Sequence, residues 1–280
     1  MDDPLEPGLY IVATPIGNLS DLSPRAAAVL ARADLIAVED SRVTGKLLNH
    51  IGVKRPMTPY HDHNADKVRP GLIARMATGA VALVSDAGTP LISDPGYKLV
   101  RDARAAGVTV TTIPGPSAVI AALTLAGLPT DHFAFFGFLP AKGGARASAI
   151  AEAAEFRGTL VFYESGPRLG AALAALRDGL GDRDAAVARE ITKAFEEAVT
   201  GTLAELAARY AVAPPKGEIV IVVGPPGEAP AADADTVDAA LADAMTRLSA
   251  SRAAAEVAQA LGLPRRDVYA RALDLKEQSQ

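Results

Sequence analysis

The segment that most constrains the fold is Ala80-Val81-Ala82-Leu83-Val84, an uninterrupted apolar run. It is followed at once by the bent polar stretch Ser85-Asp86-Ala87-Gly88-Thr89-Pro90-Leu91-Ile92-Ser93-Asp94-Pro95-Gly96. Such a run reads as a buried strand of an open α/β sheet, and ligands bind such sheets at the strand ends. Two Gly-Pro-rich bends within the stretch expose backbone N–H and C=O groups at that end. Thr89-Pro90 stands where a Rossmann-type loop would continue with glycines. No GxGxxG or GxxxxGK[ST] occurs in the chain, and Gly45-Lys46 lacks the glycine-rich lead of a P-loop. The stretch is therefore either a ligand loop of a different kind or a tight structural turn.

The rest of the chain repeats this grammar. Apolar runs recur at 9–13, 35–38, 108–113, 133–138, 159–163, 186–188 and 219–223, with alanine-rich helical patterns at 24–33, 97–106, 117–126 and 169–178 between several of them. Ser23 is placed to cap the first helix, with Pro24 at its opening position. Alternating strands and helices predict an α/β class with a largely parallel sheet in the first half. A turn cluster at Gly127-Leu128-Pro129-Thr130 closes that alternation, which predicts a domain over 1–127 and a second, strand-rich one over 128–226. The Pro/Gly/Ala stretch 227–236 reads as a linker. Beyond it, patterns at 237–248, 251–261 and 265–275, with a Gly262-Leu263-Pro264 turn, predict a helical extension over 237–280 resembling a helix-turn-helix. From Ser249 to Lys276 five basic residues (Arg252, Arg265, Arg266, Arg271, Lys276) stand against three acidic ones, so the extension reads as a nucleic-acid face or as a packing or dimerisation appendage.

Composition narrows the chemistry. With no cysteine the chain has no disulfide, thiolate ligand or thiol nucleophile, and four histidines leave little for a metal site. No metal is expected. A formal charge of −5 gives no global attraction for polyanions. No apolar run approaches a membrane span and the N-terminus lacks a signal-peptide pattern, so the expected location is cytoplasmic.

Polar groups collect at the other strand ends. Val38-Glu39-Asp40-Ser41-Arg42 sets carboxylates beside a guanidinium, as an Asp-Arg cap or as part of a site. Tyr60-His61-Asp62-His63-Asn64 suits a substrate or base-supplying loop better than a metal site. Pro114-Gly115-Pro116-Ser117-Ala118 bends another strand end, where Ser117 either caps the next helix or meets a ligand. Tyr163-Glu164-Ser165-Gly166-Pro167-Arg168 and Arg189-Glu190-Ile191-Thr192-Lys193 do the same in the second half. Together with Thr14-Pro15-Ile16-Gly17 these loops point to a cleft between two α/β domains. No GxSxG elbow supports a serine hydrolase.

In this order the loops resemble those of the tetrapyrrole (precorrin) methylase superfamily, over residues 8–224. Pro15, Gly88-Thr89-Pro90 (Gly-Asp-Pro in small-molecule members), Gly115-Pro116-Ser117-Ala118 and Tyr163-Glu164-Ser165 carry the likeness. The wording of Ala13-Thr14-Pro15-Ile16-Gly17-Asn18-Leu19, of Glu39-Asp40-Ser41-Arg42 and of Ser85 to Gly96 is similar to a branch that methylates ribosomal RNA. The resemblance implies a two-domain α/β tetrapyrrole-methylase-like fold, S-adenosylmethionine as cofactor and a homodimer. It also implies 2′-O-methylation of a cytidine ribose in the decoding region of 16S rRNA, with the small ribosomal subunit as partner. Matched positions imply that Pro15, Ala87, Gly88, Thr89, Ile92, Ser117, Ala118, Glu164 and Ile191 line the cofactor pocket, most of them through backbone. For the ribose proton the candidate bases are Asp40, His61, Glu190 and a Lys193 with lowered pKa, Asp40 and His61 being preferred. Arg42, Asn64 and Lys193 are expected to orient ribose or phosphate. Thr89 and Asp94 are expected to contribute loop shape rather than a catalytic acid. A small-molecule methylase and a noncatalytic nucleotide- or RNA-binding regulator are the alternatives.

Overall fold

The computed structural model of the chain describes residues 4–227 and 234–278. Its first ten elements alternate without a break. They are β1 (Gly8–Val12), α1 (Pro24–Arg32), β2 (Leu35–Val38), α2 (Ser41–His50), β3 (Met57–Pro59), α3 (Ala65–Met76), β4 (Ala80–Val84), α4 (Tyr97–Ala105), β5 (Val110–Ile113) and α5 (Ala118–Ala126). Every strand pair is parallel, in the order β3-β2-β4-β1-β5. The predicted parallel sheet is thus present, with β4 at its centre and every residue of β4 buried. One face packs Leu30, Leu47 and Val84 together, and the other Leu72, Leu83 and Leu99. Apolar cover on both faces removes the period-2 alternation, which is why the run 80–84 has no polar residue.

A second sheet, β6-β7-β10-β8-β9, follows. It comprises β6 (Phe133–Phe138), α6 (Gly143–Ala154), β7 (Thr159–Ser165), α7 (Leu169–Leu180), β8 (Asp184–Arg189), β9 (Glu197–Thr202), α8 (Leu203–Val212) and β10 (Glu218–Val223). Only β6 and β7 run parallel; the other pairs are antiparallel. Strands β3 and β9 escape the sequence pattern because β3 has three residues and β9 is half exposed, leaving neither an apolar run. Helix α1 is capped as expected, the Ala26 N–H donating to Ser23 Oγ at 3.0 Å.

Helix α5 lies before residue 127 in the chain yet packs Val119, Ala122, Leu123 and Ala126 against Val161, Ala186, Ala188, Val220 and Val222 of the second sheet. The strand-end loops leading into α5 are thereby brought to the second sheet. Residues up to Pro225 form one compact unit and those from Pro226 another. Within the latter, α9 (Ala234–Met245), α10 (Ala250–Leu261) and α11 (Arg265–Gln278) enclose Leu241, Ala253, Ala254, Val268 and Ala272. Arg271 grips Asp238 in a two-pronged ion pair at 2.6 and 2.5 Å. Of the linker expected over 227–236, residues 228–233 lie outside the described residues, and α9 already begins at Ala234. No helix among the described residues is long and apolar enough to cross a membrane.

Candidate active site

The loops leaving β1 and β4 are stitched to each other. The Thr14 N–H donates to the Gly88 carbonyl at 2.9 Å, and the Gly88 N–H returns a bond to the Thr14 carbonyl at 3.1 Å. Gly88 holds φ at 77°, and a Cβ there would sit 3.2 Å from Ile16 Cγ2, so both conformation and space call for glycine. Thr89 Oγ1 donates to the Pro116 carbonyl at 3.0 Å, tying in the loop after β5. The Asp40 N–H donates to Asp86 Oδ1 at 3.0 Å, tying in the loop after β2. Within this frame Leu91 and Ser93 take left-handed conformations, with φ of 75° and 66°. Such backbone persists only where its surroundings over-determine it.

The ends of β7 and β10 and the loop after β8 form the opposite wall, where Glu190 and Thr192 are also left-handed, with φ of 49° and 67°. Between the walls lies a cavity of about 350 Å³. Five carboxylates line it (Glu39, Asp86, Asp94, Glu164 and Glu218), and no lysine, arginine or histidine among the described residues does. Burial raises the pKa of Glu39 and of Asp86. Burial also pushes Asp94 up to about 6, with the Glu39 and Asp86 charges adding to it and a Ser85 hydrogen bond opposing. Tyr163 is pushed up to about 12 by burial and then by Asp94. Glu164 is 2% exposed. Its Oε1 accepts the Ser165 N–H at 2.8 Å and meets Arg168 Nε at 3.2 Å, while its buried Oε2 has no partner among the described residues. The cavity is therefore a concave acidic site with apolar patches from Ile16, Ile191 and Val220, suited to a cationic ligand that carries hydrogen-bond donors.

Of the residues expected to hold a cofactor, Ala87, Gly88, Thr89, Ile92, Ser117, Ala118, Glu164 and Ile191 line this cavity. Pro15 does not, although its neighbour Ile16 does. Gly88 spends its N–H and its carbonyl on Thr14, so it shapes the wall rather than offering a donor. Ser117 precedes α5 without a capping bond from its side chain, which leaves the ligand reading of that residue in place.

Asp40, Arg42, His61, Asn64 and Lys193 are absent from the cavity lining. Asp40 caps α2 through the Arg42 N–H at 2.8 Å and pairs with the Arg42 guanidinium at 2.5 Å. Those bonds hold its carboxyl down at about 2, too weakly basic to draw a proton from a hydroxyl. Asn64 braces its own loop, accepting the His61 N–H at 2.9 Å and donating to the Pro59 carbonyl at 2.9 Å. Buried His61 Nδ1 finds no partner among the described residues. The lowered pKa expected for Lys193 is not present. Partial burial works to lower it, but Glu218 and Glu190, at 2.9 and 3.0 Å from Nζ, outweigh burial and raise it.

Sequence reasoning passed over Glu39, Asp86, Asp94 and Glu218 as members of one site. The available signal was their position at the ends of apolar strands or inside the Pro/Gly-bent loop, since a carboxylate there is poorly solvated.

Residues 8–207 match the Tetrapyrrole (Corrin/Porphyrin) Methylases, and residues 230–276 match the RsmI C-terminal HTH domain. The ribosomal RNA small subunit methyltransferase I of Erythrobacter litoralis is 54% identical over 274 residues, 98% of this chain and 97% of that one. Its counterpart from Mesorhizobium japonicum is 50% identical over 279 residues, 99% of this chain and 95% of that one. Among solved structures, a uroporphyrin-III C-methyltransferase from Thermus thermophilus complexed with S-adenosylhomocysteine aligns with a TM-score of 0.54 at 20% identity. The alignment covers 77% of this chain and 96% of that one.

Proposed function

This chain belongs to the tetrapyrrole (corrin/porphyrin) methylase family and, within it, to the ribosomal RNA small subunit methyltransferase I group, and on that premise we propose its reaction and substrate. It transfers a methyl group from S-adenosylmethionine to the ribose 2′-oxygen of a cytidine in the decoding region of 16S rRNA. The observation that carries this reading is the acidic cavity. Among the described residues it has five carboxylates, one with a buried oxygen lacking a partner, and no cationic side chain in the lining. A sulfonium bearing an ammonium and an adenine amine meets acceptors on each side there, and desolvation strengthens each contact. Bound there, S-adenosylmethionine supplies an activated methyl group for an in-line displacement.

The chain's own residues bind, align and exclude water. The loop 86–89, Ser117 and Ala118 form one wall, Ile191 and Glu164 the other, and Gly88 keeps the first wall open by having no side chain. Rigid walls favour alignment of the ribose oxygen with the methyl carbon, the largest contribution available to this kind of reaction. The basic residues of α10 and α11, Arg252, Arg265 and Arg266, supply phosphate contacts, compensating for an acidic chain. The small ribosomal subunit is the partner, a homodimer the assembly and the cytoplasm the compartment in this reading. Comparing ribose methylation across 16S rRNA from cells with and without the protein tests it. Loss of methylation at one decoding-region cytidine is expected, and an unchanged map overturns the substrate.

A further inference from the structure

Beside the acidic cavity lies a second one of about 180 Å³, and Asp94 is the one residue common to both linings. The backbone around Asp94 is held in an unusual path by left-handed Leu91 and Ser93 and by Gly96 at φ 141°. A loop bent this way places a side chain with precision and little freedom to relax. The second cavity has a distinct chemistry. Tyr97 is 66% exposed at its edge, Asp62 and Asp66 present carboxylate acceptors, and Lys98 Nζ stands 3.9 Å from Asp66. An aromatic face with carboxylate acceptors suits an unpaired nucleobase that carries an exocyclic amine.

Resting on the rRNA reading above, we infer that the target nucleotide sets its base in the second cavity and gives its 2′-hydroxyl proton to Asp94. The ribose O–H bond breaks and Asp94 Oδ gains the proton. The freed electron pair forms the bond from oxygen to the methyl carbon, while the pair of the broken carbon–sulfur bond stays on sulfur. Positive charge leaves the sulfur and the proton is later lost to water. Asp94 suits this task where Asp40 does not. Its carboxyl, raised to about 6 by burial, is ionised at neutral pH and still basic, whereas Arg42 holds Asp40 at about 2. The groups facing Asp94 are Glu39, Asp86 and Tyr163 on the side of the first cavity. On the other side they are Tyr60, Asp62, Asp66, Tyr97 and Lys98, with Arg69 paired to Asp66. The Glu39 and Asp86 charges keep the Asp94 carboxyl up, while the cations Lys98 and Arg69, which act the other way, each stand against Asp66.

The test uses the full chain as wild type, Asp94→Asn and Asp94→Glu. Single-turnover methyl transfer to purified small subunits is followed across pH, S-adenosylmethionine binding by calorimetry, and Asp94 itself by carbon NMR titration. Asp94→Asn is expected to lose about 10²–10⁴-fold in rate and the inflection near the Asp94 pKa, while cofactor affinity, to which Asp94 is one of five contributing carboxylates, falls by at most about tenfold and Asp94→Glu recovers part of the rate. The wild-type Asp94 carboxyl is expected to titrate near 6, above the ordinary aspartate value. A rate for Asp94→Asn within about tenfold of wild type overturns the assignment, as does a loss matched by lost cofactor binding. An ordinary aspartate titration for Asp94 overturns it too. Wild-type protein that binds S-adenosylmethionine yet methylates no small-subunit RNA overturns the substrate reading itself, and with it the role given to Asp94.

Discussion

Two groups of polar loops sit at the ends of neighbouring strands of the same parallel sheet, and they use similar residues in opposite ways. After β2 and β3, Asp40, Arg42 and Asn64 spend their hydrogen-bonding capacity on capping α2 and bracing the 61–64 turn. After β4, Asp86 and Asp94 lie in a strained, glycine-hinged loop and have their pKa values raised by burial. A carboxylate saturated by an exposed guanidinium is stable and chemically quiet. One kept near a low-dielectric cavity costs stability and retains basicity, a trade found where proteins do chemistry. Polarity at a strand end therefore identifies a loop worth inspecting, and only the partners of each group separate scaffold from site.

Substitutions can break or sharpen this contrast. After the Asp94 variants, the largest effect is expected from Gly88→Val. It places a β-branched side chain at φ 77° and presses it on Ile16, costing about 2–3 kcal/mol of stability and at least about tenfold in cofactor affinity. Urea unfolding and calorimetry measure both, and normal binding would show that the β4 loop does not shape the pocket. Asn64→Ala should cost about 1–3 kcal/mol, because the His61 N–H and the Pro59 carbonyl lose their partner, with methyl transfer within about threefold of wild type. A collapse of the rate with unchanged stability would move the 61–64 turn to the catalytic side. The smallest effect is expected from Asp40→Asn, a modest fall in melting temperature and a rate within about threefold of wild type. Its pH dependence has a definite sign. The depressed Asp40 pKa contributes stability that is present above pH 3.8 and is lost as pH falls towards about 2, so the variant's deficit should be full at neutral pH and vanish at about pH 2. Asp94 has the reverse sign. Its raised pKa means the ionised form weakens the fold above about pH 6, so Asp94→Asn should melt no lower than wild type at pH 8.

Much of the architecture was legible in the chain. Unbroken apolar runs announced the buried parallel strands, and Ser23-Pro24 announced where α1 begins, because both patterns follow from local physics. Of the nine positions that the family resemblance implied for the cofactor, eight line the acidic cavity. The order of the strands was not legible, nor was the packing of α5 on the second sheet, since its apolar residues carry no label naming their partner. The choice among acidic residues was hidden for the same reason. Asp40, Asp86 and Asp94 all follow or sit within strand-end turns; Asp40 is set by Arg42 two residues on, whereas Asp86 and Asp94 are raised first of all by burial among segments distant in sequence.

What the sequence by itself determined is the alternation of elements, the positions of the loops and the family wording they carry. These rest on periodicity, turn chemistry and residue order, which are properties of short stretches of chain. The tertiary structure alone decided which side chains share a cavity and which cancel one another. Burial and charge pairing depend on distances between segments, and at those distances Glu39 and Asp86 come to face Asp94, which is left between two cavities with its carboxyl raised.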